Sequence, residues 1–125
     1  MNLNQIGQIA LPADDLERAV AFYRGTLGMR FLFQVPPGLA FFDCGGIRLM
    51  IDGIKEREIT GSFSPIIYYK VPDIQAAYAD LSSRGVPFES KPHLIAKMPD
   101  HELWMAFLRD TEKNLIGLMS EVRPA

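Results

Sequence analysis

An α+β fold made of two successive βαβββ units is what this sequence predicts, and three observations carry the prediction. Short alternating apolar runs and helical spacings follow one another in the same order in both halves of the chain. Ile74, Ala77, Tyr78 and Leu81 keep the mutual spacing of Leu16, Ala19, Val20 and Tyr23, so the second half repeats the first. The chain has 125 residues, the size of one domain by the usual span of roughly 100–200 residues. The repeat is therefore expected within a single domain, 1–125, with unit one at about 1–54, a polar linker at about 55–64 and unit two at about 65–122.

Gln5 to Leu11 alternates as a strand. A helix over 14–27 follows, with Asp14 as N-cap, Glu17 completing a capping box and Gly28 in the left-handed closing position. Phe31–Gln34, Ala40–Cys44 and Arg48–Ile51 read as three strands, separated by Pro36-Pro37-Gly38 and by Gly45-Gly46. In the second half Ile66–Val71 is the first strand, Asp73 opens a helix that Arg84-Gly85 closes, and Leu115–Met119 is the last strand. A sheet of four strands with one helix leaves one face uncovered, so each unit needs a neighbour.

Composition excludes several function classes. Apolar residues make up 48% and charged residues 22%, an ordinary globular balance that argues against disorder. Thirteen basic against fifteen acidic residues, a net charge of −2, provide no field for nucleic acid. No apolar run approaches the roughly 20 residues that cross a bilayer. The N-terminal stretch lacks a cationic region, and the single Cys44 suits a reducing compartment, so a cytoplasmic protein with neither membrane nor nucleic-acid partner is expected.

Leu16-Glu17-Arg18-Ala19-Val20-Ala21-Phe22-Tyr23 with Leu27-Gly28, Val71-Pro72-Asp73-Ile74 with Arg84-Gly85-Val86, and Phe107-Leu108-Arg109-Asp110 through Asn114-Leu115 together resemble the vicinal oxygen chelate superfamily, the group of glyoxalases, bleomycin-resistance proteins and extradiol dioxygenases. The resemblance covers essentially the whole chain. It implies two units whose mixed sheets curl around a shared cleft, with helices outside and usually two chains per assembly, hence a homodimer. In metal-using members the first and last strand of each unit supply the ligands, and those positions map onto Gln8, Leu49, Ile66 and Gly117. One neutral amide cannot hold a divalent ion against water. No cofactor is expected in that geometry, and Leu49, Ile66 and Gly117 would instead make an apolar floor for a small organic ligand.

Lys91 to Asp110 holds both histidines and the only tryptophan. A turn centred on Pro99-Asp100 predicts the pairs Lys97 with Glu102, Ile95 with Trp104 and His93 with Ala106. Alternation then puts Leu94, Ala96, Leu103, Met105 and Phe107 on the helix side, and His93, Ile95, Lys97, Glu102, Trp104 and Ala106 on the cleft side. Tyr68 and Lys70 would join them, since they alternate with Ile66. Two functions remain open: a metal-independent binder of a small organic molecule through Gln8, Tyr68, Trp104 and Glu102, and a lyase, isomerase or dioxygenase-like enzyme. The enzyme would use His93 and Glu102 as acid and base, or a relocated divalent metal at His93, Asp100, His101 and Glu102. In a regular hairpin His93 lies about 16 Å from the turn, at roughly 3.3 Å per residue, so one ion reaches all four only if the hairpin is irregular.

Overall fold

The computed structural model describes residues 1, 4–54 and 66–124; the expected linker at 55–64 lies outside them. The chain divides into two units, Met1–Ser62 and Phe63–Ala125. In each, the first strand runs parallel to the last, and the other neighbours are antiparallel.

The first unit contains β1 (Gln8–Pro12), α1 (Leu16–Ala21), β2 (Arg30–Val35), β3 (Leu39–Cys44) and β4 (Ile47–Asp52), in sheet order β1-β4-β3-β2. The N-cap is Asp15, not the expected Asp14: Asp15 is extended, and its carboxylate accepts from the Arg18 backbone N–H at 3.1 Å. The expected single helix over 14–27 is also modified. Phe22–Thr26 is π-helical, with the Leu27 N–H donating to the Phe22 carbonyl at 2.9 Å. The wider turn brings two consecutive aromatic residues inward, Phe22 and the fully buried Tyr23, packed edge to face at 5.6 Å. Gly28 closes the segment at φ 70°, as its position in the sequence predicts. Tyr23 meets Phe42 on β3, which marks the sheet face carrying Phe42, Ala40, Leu49 and Ile51 as the buried helix side.

The second unit contains β5 (Ile67–Lys70), α2 (Ile74–Ser83), β6 (Phe88–Lys97), β7 (Glu102–Arg109) and β8 (Leu115–Val122), in sheet order β5-β8-β7-β6. Asp73 caps α2 by accepting from the Ala76 N–H at 3.1 Å, and Gly85 ends it at φ 86°. Asp110, 5% exposed, accepts the Glu112 and Asn114 backbone N–H groups at 2.8 Å each and builds the β7–β8 turn.

Tyr78 on α2 packs against Phe88, which lies opposite Leu108. The helix side of this sheet is therefore the face of Ala106, Leu108, Ile116, Leu118 and Ser120. Trp104 and Glu102 belong to it by alternation, and Trp104 stands opposite Ser120, whose hydroxyl donates to the Pro72 carbonyl at 3.4 Å. The expected face assignment is thus inverted: Leu103, Met105 and Phe107 lie on the open side and Trp104, Glu102 and Ala106 on the helix side. The apolar set Leu103, Met105 and Phe107 misled the expectation, because the residues buried on the helix side are Ala106 and Leu108.

Candidate functional site

The side chains singled out in the sequence fall on three surfaces. On the open face of the second sheet, Tyr68 lies opposite Gly117 and its ring meets Phe107 edge-on, with centroids 6.0 Å apart. A Cβ placed on Gly117 would stand 2.5 Å from Tyr68 Cδ1, 2.8 Å from Cε1 and 3.3 Å from Phe107 Cε1. The tyrosine ring thus occupies the space that a side chain at 117 would fill. Ile66, 37% exposed, and Tyr68, 43% exposed, are accessible beside it. Lys70, two residues on, pairs with Glu121 at 3.4 Å.

On the open face of the first sheet Gln8 is exposed, with its Nε2 3.8 Å from Met50 Sδ. Leu49 is not there. It is 2% exposed and lies opposite Phe42 on the helix side, so its expected place on a ligand-lined floor is corrected. The parallel register pairs Gln8 with Arg48 and Ala10 with Met50, which puts Arg48 and Met50 of the last strand on the face of Gln8. Successive strand residues point to opposite faces, so a shift of one position reversed the assignment. Met50 and Phe107 are among the open-face residues that the sequence reading missed, and the register of β1 on β4 that places the first is a property of the paired strands.

The third surface is the far end of the β6–β7 hairpin. Lys97 lies opposite Glu102 as expected, but a bulge leaves Ile95 unpaired, so Leu94 faces Trp104 and His93 faces Met105 in place of the predicted partners. His93 and Glu102 consequently stand on opposite faces of the sheet, and the proposed acid–base pair is not brought together. His93 Nδ1 lies 2.9 Å from the Lys91 carbonyl. At the turn, His101 and Arg123 each hold one oxygen of Asp100, both at 2.7 Å. Hydrogen bonds from Arg123 first and His101 second hold the Asp100 carboxyl down at about 2. Among the described residues no three His, Cys, Asp or Glu are grouped as a metal site requires.

A pocket of about 520 Å³ opens where α2 begins, lined by Asp73, Ile74, Glu102, Trp104, Glu121 and Arg123 among others. The Trp104 indole N–H donates to Glu102 Oε1 at 3.1 Å. Glu121 is gripped by Lys70 at 3.4 Å and by Arg123 at 3.2 Å. Arg123 escaped notice in the sequence because the last strand was expected to stop at Met119, whereas β8 continues to Val122.

Comparison with known proteins places this geometry in context. A family model described as the glyoxalase/bleomycin resistance protein/dioxygenase superfamily matches residues 5–118. The uncharacterized protein YraH of Bacillus subtilis (strain 168) is 29% identical over 126 aligned positions, which cover 89% of this chain and 94% of YraH. Among solved structures, the lactoylglutathione lyase of Agrobacterium tumefaciens superposes with a TM-score of 0.79 at 22% identity, covering 95% of both chains. A member of the same superfamily from Sphaerobacter thermophilus DSM 20745 gives 0.77 at 20% identity, over 95% of this chain and 98% of the other. At these identities the solved structures speak for the fold.

Proposed function

This chain belongs to the glyoxalase/bleomycin resistance protein/dioxygenase superfamily, and from that premise we propose that it binds a small organic molecule on its open sheet faces without the metal that metal-using members chelate. The observation that carries the reading is the Tyr68 ring lying over Gly117. Where such members present a metal ligand, this chain has no side chain and an aromatic ring in its place. The remaining positions offer the hydrocarbon of Ile66, the thioether of Met50 and the amide of Gln8. A divalent ion needs about three or more anionic or imidazole donors, and these residues do not fit it. The second unit's open face does fit a ligand with a flat or apolar body, which Tyr68 and Phe107 can hold edge and face while the Tyr68 hydroxyl supplies a directional hydrogen bond. We read the working form as a cytoplasmic homodimer, in keeping with the single half-buried thiol of Cys44 and with the family's habit of assembly.

The test is metal analysis of protein purified without a histidine tag, combined with melting in the presence and absence of EDTA. An ion bound to the native state raises its stability, and removing that ion lowers the melting temperature. The expected outcome is substoichiometric metal and an unchanged melting temperature. A fall of several degrees, restored by zinc, manganese or iron, overturns the metal-free reading.

A further inference from the structure

The pocket at the start of α2 is a different surface from the open face, because Trp104 and Glu102 lie on the helix side of β7 while Tyr68 and Gly117 lie on the other side of the sheet. Three acidic residues line it, and the carboxylates of two are committed elsewhere. Asp73 spends its side chain on capping α2, accepting from the Ala76 N–H at 3.1 Å. Glu121 is neutralised twice, by Lys70 and by Arg123. Glu102 differs. Its cross-strand partner Lys97 forms no ion pair with it, and among the described residues no cation lies within 4.0 Å of its carboxylate; its hydrogen bond comes from the neutral indole of Trp104.

That bond also holds the indole against the carboxylate, so an aromatic ring and a carboxylate with no direct ion pair stand side by side in one cavity, where Arg123 is held by Asp100 and Glu121. Such a pair favours a positive charge whose hydrocarbon body stacks on the ring: the quadrupole of the indole and the charge of the carboxylate attract the same ligand. Ile74 adds apolar wall, and the volume of about 520 Å³ falls within the roughly 300–1,000 Å³ of small-molecule sites. We propose that this pocket binds a small organic cation of the alkylammonium class, its charge against Glu102 and its carbon groups over Trp104.

Trp104 is the only tryptophan in the chain, so its emission reports the pocket directly. The intact protein is titrated with choline and, separately, with 3,3-dimethylbutanol, a neutral molecule of nearly the same shape. Choline is expected to change the indole emission saturably and to bind about tenfold more tightly than the alcohol, a ratio in the range of a partly desolvated cation–π and carboxylate pair. Glu102→Gln keeps an oxygen for the indole N–H but removes the charge, and it should erase most of that preference while the far-ultraviolet circular dichroism stays unchanged. Equal affinity for the two probes, or full choline binding by Glu102→Gln, overturns the proposal. So does an indole that neither probe perturbs and whose emission shifts on dilution, since a second copy of the chain would then cover the pocket.

Discussion

Gly117 shows what a single missing side chain does. Its vacancy admits the Tyr68 ring, and any Cβ there would meet that ring at 2.5 Å. Because Tyr68 is 43% exposed, the ring can swing outward, so the cost of Gly117→Ala is the lost edge contact with Phe107 rather than a crushed core. We expect a destabilisation of about 1 kcal/mol, the scale of one aromatic pair. In a Tyr68→Ala background the same change should cost close to nothing, and chemical denaturation of the four proteins in the cycle measures the coupling. Equal costs in both backgrounds would show that the ring does not depend on the glycine. At this scale the sequence was legible for residue type but not for direction. Gln8, Ile66, Tyr68 and Gly117 lie on open faces, while Leu49 and Trp104 point the opposite way, because one residue of offset along a strand reverses the face and nothing in a lone sequence marks that offset.

At the scale of elements, order and kind were readable because hydrophobic period and turn residues act locally. The duplicated spacing at Leu16 and Ile74 marked both helices, and the positive φ of Gly28 and Gly85 stands where a glycine follows each. What local signals did not reveal were features that depend on two strands at once. The irregular pairing between β6 and β7, with its slip at Ile95, is a property of the ladder and has no signature in either strand alone. The N-cap of α1 is similarly ambiguous, since Asp14 and Asp15 are adjacent and the Glu17 that favoured Asp14 did not decide between them. Structure resolves the choice and makes it measurable: Asp15→Ala and Asp73→Ala should each lower stability by about 1 kcal/mol, and Asp14→Ala should leave it nearly unchanged. A loss at Asp14 equal to that at Asp15 would mean that both carboxylates share the cap.

For the whole molecule, the repeat in the sequence and the family match agree on the architecture, while assembly must be argued from surface. β6 is an edge strand ten residues long, and Leu94, Ile95 and Met98 stand 39%, 45% and 44% exposed along it and at its end. Apolar side chains gathered on an edge mark a surface that association covers. Sedimentation equilibrium should therefore give twice 14.0 kDa, with an interface of about 1,600 Å² in total; a lasting monomer at micromolar concentration removes the argument. The Tyr68 ring over Gly117 also bears on descent. On the metal-free reading, an acidic residue gained at 117 would have to displace the Tyr68 ring, and losing the ring first would leave a glycine with no donor. The two positions would therefore have to change together before this surface could offer a carboxylate.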